Sequence, residues 1–243
     1  MFAALHVFIS PGDVPGEPTP ARMASLGATL ERDVTAGGYT VTRVFHQEPD
    51  LAASKAASPL DRPLCGSPAV PDGSVLEAVN GVPLLSLPAV GFALRNQAGQ
   101  ELRLSVRYAG SLDVSTDIIV APLSQAEFDD LRYSDWEASR RAIVEETSGG
   151  RVGYIHVRST SGASYTDFAR QFFPVFDREA LIIDVRHNSG GNQDAWMIEQ
   201  LRHNVWMFFQ ERYGSLSKEA SWGTQMAFRG HMVALCNEKT SSE

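Results

Sequence analysis

The chain has 243 residues, of which 43% are hydrophobic and 21% are charged, which is typical of a globular protein with one large or two small domains. Its net charge of -8 and pI of about 5.3 argue against nucleic acid as a partner, because no Lys/Arg cluster is present to neutralise phosphates. No apolar run approaches the length of a membrane span, so no membrane partner is expected either.

The first 12 residues read as the end of an apolar helix, and the prolines and glycines of residues 11–20 predict a linker. Residues 22–108 then show the short alternating runs of a β-rich domain, for example YTVTRVF at 39–45 and ELRLSVR at 101–107. Cys65 lies in a proline-rich loop of this domain, whereas Cys236 lies in a buried-strand pattern. Two cysteines in such different settings predict free thiols, and neither has metal-ligand spacing.

Residues 109–150 are expected to connect this domain to the next. Ser124 followed by Glu127 and Ser134 followed by Glu137 both have the spacing of a capping box. One or two helices should therefore run from about residue 125 to 147, and the sequence SGG should end them.

Residues 151–243 alternate between strand and helix patterns. The predicted strands are VGYIHV (152–157), LIIDV (181–185) and MVALC (232–236), and the predicted helices cover 165–173 and about 194–203. Strands that alternate with helices predict a parallel sheet with right-handed crossovers, so the expected class of this domain is α/β.

Small polar residues follow two of these strands, where LIIDV runs into RHNSGG and MVALC runs into NEKTSS. Because loops at the carboxyl ends of neighbouring parallel strands lie side by side, Gly190 and Gly191 could meet Ser242. Backbone amides beside a hydroxyl are what acyl transfer requires, since a serine that attacks a carbonyl creates an oxyanion. Two other interpretations stay open: the glycines could form a tight turn or a phosphate site, and the serine could belong to a turn.

A serine needs a base to take its proton, and the six histidines are the candidates. By nearness to the glycine loop, His187 has the best claim among them. His156 lies on a strand, where a histidine is more often a satisfied structural residue.

Three segments, GRVGYIHV, LIIDVRHNSGGN and VALCNEKTSSE, resemble the catalytic domain of the tricorn and C-terminal processing peptidases, the S41 serine peptidases. Alignment of Asn237 and Glu238 with the family's NE pair implies that Ser242 is the nucleophile. The segment ALHVFISPGD resembles the one that carries the general base, which implies His6. The resemblance further implies an oxyanion hole formed by Gly190 or Gly191 together with Glu243.

The same resemblance implies a ClpP/crotonase-like catalytic domain preceded by a PDZ-like domain, in which Leu26 and Gly27 would receive a peptide carboxylate. It implies peptides or unfolded proteins as substrates, a homo-oligomer in the full-length protein, no cofactor, and a cytoplasmic location with the periplasm as the alternative.

Two hypotheses from other classes remain: a non-catalytic peptide-binding module, and a glycine loop that binds phosphate or acyl-CoA. We also expect the chain by itself to be a fragment with little activity. His6 would lie on a short helical stub and Ser242 one residue from the end, so neither group would be firmly held.

Overall fold

The computed structural model describes residues 21–47, 57–111, 113–162, 164–205, 210, 212–214 and 226–242. The helical stub and linker predicted before residue 21 lie outside these ranges. Among the residues described, no helix is long and apolar enough to cross a membrane.

The first half of the chain forms an antiparallel sheet in the order β2-β3-β4-β6-β7, and β5 pairs with β4. Its strands, together with the preceding short strand β1, are β1 (Ala24–Ser25), β2 (Ala28–Asp33), β3 (Gly38–Val44), β4 (Val75–Val79), β5 (Val82–Pro83), β6 (Leu102–Arg107) and β7 (Ser115–Val120). A short helix, α1 (Val90–Leu94), lies between β5 and β6.

The core of this amino-terminal sheet comes from the period-two pattern of its strands. In β6, Leu102, Leu104 and Val106 are almost fully buried, whereas Arg103 between them is exposed. The two alternating runs predicted at 39–45 and 101–107 are thus confirmed as β3 and β6.

A single long helix, α2 (Gln125–Ser148), follows strand β8 (Leu123–Ser124), which pairs antiparallel with β1. The first predicted capping box is present: the Ser124 hydroxyl accepts a hydrogen bond from the Glu127 N–H, and the Glu127 carboxylate accepts one from the Ser124 N–H at 2.8 Å. Gly149 ends the helix in the left-handed conformation (φ 60°).

The second predicted capping box is wrong, because α2 continues through it. Ser134 and Glu137 are buried in the middle of the helix, where both accept hydrogen bonds from Arg158. Their spacing places them on the helix face that packs against the next sheet.

The second half of the chain forms the predicted parallel sheet, in the order β11-β10-β9. Its elements in chain order are β9 (Val152–His156), α3 (Ser164–Phe172), β10 (Ala180–Asp184), α4 (Asp194–Leu201) and β11 (His231–Leu235). The core between sheet and helices includes Ile155, Phe168, Phe172, Leu181 and Met197. The α/β prediction for this half is therefore confirmed.

The prediction that Cys236 lies in a buried strand is wrong. Strand β11 is exposed, with Val233 at 56% of its full accessible surface, and Cys236 at its end is exposed as well. Within the part of the chain that the structure describes, β11 pairs only with β10, so its apolar sequence lies at a sheet edge. Both cysteines are free thiols, as expected.

Candidate active site

Three loops meet at the carboxyl-terminal edge of the parallel sheet, one after each strand. Thr160, in the loop after β9, forms an isolated parallel bridge with Gly191, in the loop after β10. The loop after β11 joins them through the Ser241 N–H, which donates to the Asn188 carbonyl oxygen at 3.0 Å. The side-by-side arrangement expected from parallel strands is therefore present.

Gly190 lies directly against Ser242. A Cβ atom on Gly190 would be 2.5 Å from the Ser242 Cβ and 3.2 Å from its Oγ, so only glycine allows the serine loop to come this close. Both residues have left-handed backbones, with φ of 83° at Gly190 and 61° at Ser242. For the serine this conformation is strained, and strained serines are common where a hydroxyl must be presented at a loop apex.

Most amides of the glycine loop already have acceptors. The Gly190 N–H donates to Asn188 Oδ1 at 2.6 Å, and the N–H groups of Asn192 and Gln193 both donate to the Thr160 carbonyl oxygen. The Gly191 N–H makes no hydrogen bond to any other residue that the structure describes. Gly191 is therefore the better of the two predicted oxyanion donors.

Asn188 organises the site, although the sequence reasoning did not single it out. Its side chain is buried, Nδ2 donates to the Val157 carbonyl oxygen at 2.9 Å, and Oδ1 accepts from Gly190. The Asn188 carbonyl oxygen accepts the Ser241 N–H, so Asn188 is hydrogen-bonded to all three loops. The only hint in the sequence is its place between a buried strand and a pair of glycines.

Asn237 shapes the serine loop. Its Oδ1 accepts hydrogen bonds from two backbone N–H groups, that of His187 at 3.0 Å and that of Lys239 at 3.2 Å. Its own backbone N–H donates to Thr240 Oγ1. The Thr240 hydroxyl in turn donates to the Val185 carbonyl oxygen at 2.8 Å. These bonds hold the segment before Ser242 against the end of β10.

His187 flanks this loop, with a positive φ of 62°. Its ring makes edge-on contacts with Tyr133 and Trp136 of α2, at centroid distances of 6.3 and 5.8 Å. Its position near the glycine loop agrees with the sequence, whereas the base that the resemblance implies is His6, which stays a prediction.

His156 is a satisfied core residue, the expected role of a histidine on a strand. Its side chain is fully buried, Nδ1 lies 2.8 Å from the Asp184 carbonyl oxygen, and Nε2 lies 2.7 Å from the Tyr133 hydroxyl. Because a carbonyl can only accept, Nδ1 carries the proton and Nε2 accepts from Tyr133. Burial lowers the pKa of His156 to about 4, so the ring is neutral near pH 7.

Asp184, at the end of β10, anchors the buried polar network beneath the loops. It accepts a hydrogen bond from the Tyr154 hydroxyl at 2.7 Å and is paired with the Arg186 guanidinium. Burial acts to raise the pKa of Asp184, but the hydrogen bonds from Arg186 and Tyr154 outweigh it and leave the pKa below its usual value. The sequence offered no signal for this network beyond an Asp at a strand end.

Two predicted site residues, His6 and Glu243, lie outside the described residues. The PDZ-like loop at Leu26 and Gly27 is described, and both of its carbonyl oxygens accept hydrogen bonds within the protein. Leu26 is 2% exposed, and the Gly27 N–H donates to Ser25 Oγ at 3.1 Å. A Cβ on Gly27 would lie 2.6 Å from Ser58 Oγ, so Ser58 packs tightly against the loop. Peptide binding at Leu26 and Gly27 stays a prediction.

Two segments of the chain match known domain families. Residues 24–125 match the tricorn protease PDZ domain, and residues 151–243 match peptidase family S41. The chain therefore contains a domain of peptidase family S41. Its tricorn-type PDZ segment precedes the S41 segment, in the order expected from the sequence.

Individual relatives agree with this assignment. The chain is 33% identical over 238 residues to "Tricorn protease homolog 1" of Streptomyces coelicolor, which covers 98% of the chain and 21% of that protein. It is 28% identical over 173 residues to "Tricorn protease" of Thermoplasma acidophilum, covering 71% of the chain and 15% of the relative. The crystal structure of the tricorn protease matches with a TM-score of 0.73 at 25% identity, over 91% of the chain and 20% of that structure. The chain thus spans 15% to 21% of the length of these relatives.

Proposed function

We propose that this chain carries the nucleophile and oxyanion hole of a serine peptidase that hydrolyses peptide bonds in peptides or unfolded proteins. The observation that carries the proposal is the packing of Gly190 against Ser242, which brings the serine into contact with the glycine loop. The family assignment supports the same activity.

The proposed reaction is acyl transfer. The Ser242 oxygen adds to the carbonyl carbon of the substrate and its proton passes to His6, which then protonates the leaving amine as the C–N bond breaks. Water hydrolyses the acyl-serine by the reverse proton path. The N–H groups of Gly191 and Glu243 are the proposed donors to the oxyanion. We also propose that the full-length protein acts on peptides and forms a homo-oligomer.

The alternative of a phosphate or acyl-CoA loop has less support. A phosphate-binding loop presents several N–H groups to one anion. Here the N–H groups of Ser189, Gly190, Asn192 and Gln193 already bind acceptors of the protein. A single available amide at Gly191 suits one oxyanion better than a phosphate.

A fluorophosphonate probe tests the proposal, because it reacts with activated serines. In the protein expressed at its full natural length, we expect labelling and peptidase activity, and Ser242→Ala should abolish both. Ser241→Ala is the matched control, since it removes the neighbouring hydroxyl and leaves the backbone bond to Asn188 in place. Labelling that survives Ser242→Ala would refute the assignment of the nucleophile.

A further inference from the structure

A second concave site lies between the amino-terminal sheet and helix α2, away from the glycine loop. It is an open cavity of about 400 Å³ between the end of β3, at Arg43, and the first half of α2. We propose that this cavity binds the carboxylate group of a peptide that also presents an apolar side chain.

The charges that line the cavity favour a single negative charge. Three arginines and two aspartates face it, which leaves one positive charge in excess. Arg43 pairs with Asp135, whose other oxygen accepts the His46 N–H at 3.1 Å. Asp135 is thus fully engaged in joining β3 to α2.

The other two arginines are held less firmly. Arg132 lies 3.9 Å from Asp129, and both side chains are more than half exposed, so this pair is weak. Towards the residues that the structure describes, the half-buried Arg140 guanidinium makes two long hydrogen bonds, both 3.4 Å, and both go to the adjacent Ser139 hydroxyl. It has no carboxylate partner among the described residues, and its planar donor fork suits a bidentate carboxylate.

Aromatic rings form the rest of the wall. Tyr133 and Trp136 lie edge to face at a centroid distance of 5.4 Å, and Phe45 lies beneath the Arg43 guanidinium. Such rings bind an apolar group that accompanies the carboxylate. The two aspartates would repel a dianion, so inorganic phosphate should bind less well than a carboxylate.

The cavity wall also reaches the candidate active site. The rings of Tyr133 and Trp136 contact His187, whose N–H binds Asn237 in the serine loop. Tyr133 and Trp136 therefore connect the wall of the cavity to a residue that contacts the serine loop.

Isothermal titration calorimetry with small probes tests the inference. N-acetyl-leucine should bind, and N-acetyl-leucinamide, which lacks the charge, should bind at least about tenfold more weakly. Arg140→Gln should weaken binding of the acid by about tenfold or more, whereas Arg95→Gln, at an exposed arginine outside the cavity, should leave it unchanged. Far-UV circular dichroism confirms that each variant is folded.

Two further measurements are needed. One distinguishes a C-terminal carboxylate from an acidic side chain, and the other shows that binding does not depend on catalysis. Preference for N-acetyl-leucine over N-acetyl-aspartyl amide would assign the site to a peptide C-terminus, and the reverse would assign it to an acidic side chain. Ser242→Ala should bind as the unchanged protein does, since no bond is broken. The inference is overturned if the acid and the amide bind equally, if phosphate binds more tightly than the acid, or if Arg140→Gln binds normally.

Discussion

At the scale of single residues, the site depends on the missing side chain of Gly190. A methyl group there would lie within 2.5 Å of the Ser242 Cβ and 3.0 Å of the Ser241 carbonyl oxygen, so the serine loop would have to move. We expect Gly190→Ala to reduce fluorophosphonate labelling of the full-length protein by about 100-fold, because misplacement by about an ångström is enough to impair attack.

Gly99→Ala is the matched control for this substitution. Gly99 also has a left-handed backbone (φ 73°), but a Cβ atom there would meet no other atom within 4 Å. The control therefore carries the same backbone strain, about 1 kcal/mol, without the clash. Labelling of Gly190→Ala at the level of Gly99→Ala would show that the contact with Ser242 does not matter.

The predicted contact between Gly190 and Ser242 is present, but the roles of other residues at the site could not be predicted from the sequence. Asn188 and Asp184 matter because of what surrounds them after folding, and no local pattern marks a buried polar residue whose partners lie in other loops. His156 was correctly expected to be structural, although its bond to Tyr133 joins residues of two elements.

At the scale of elements, helix α2 begins at its capping box. Ser124 and Glu127 satisfy each other's backbone N–H groups at the first turn. Ser124→Ala should lower the free energy of unfolding by about 1 kcal/mol, since one N–H loses its acceptor. Urea unfolding measures this change.

The control for the cap is Ser115→Ala, which truncates an exposed serine of strand β7. It should change the free energy of unfolding by less than about 0.5 kcal/mol. An equal effect of the two substitutions would mean that the cap contributes nothing beyond an ordinary surface serine.

At the scale of the whole molecule, the polar network beneath the loops makes stability depend on pH. His156 has a pKa of about 4 in the fold and 6.5 when unperturbed, so the unfolded chain binds the proton more readily. The contribution of His156 to the free energy of unfolding is therefore at its maximum above pH 6.5. It falls by roughly 3 kcal/mol in total as the pH decreases towards 4. Asp184, whose pKa is lowered from 3.8, adds to the loss below that pH.

The measurement is the free energy of urea unfolding at pH 7 and pH 5 for the unchanged protein and for His156→Gln. The variant is expected to be less stable at pH 7 but to lose less stability between the two pH values. His203→Gln, which replaces a histidine outside the network, should retain the full loss. An identical pH dependence in all three proteins would contradict the role assigned to His156.

What the sequence determined by itself was the local and periodic structure. Period-two strands, the capping box at Ser124 and the strand–helix alternation after residue 151 are encoded within a few neighbouring residues, so they can be predicted without contacts. The sequence also predicted that Gly190 could meet Ser242, because loops at the carboxyl ends of neighbouring parallel strands lie side by side.

Only the tertiary structure decided burial and pairing between distant segments. Cys236 is exposed because β11 lies at the edge of the described sheet. Ser134 and Glu137 are buried because the middle of α2 packs on β9 and meets Arg158, which follows that strand. The Gly190 amide is occupied by Asn188, which leaves Gly191 as the available donor. These outcomes depend on which surfaces meet after folding, and a short sequence pattern does not carry that information.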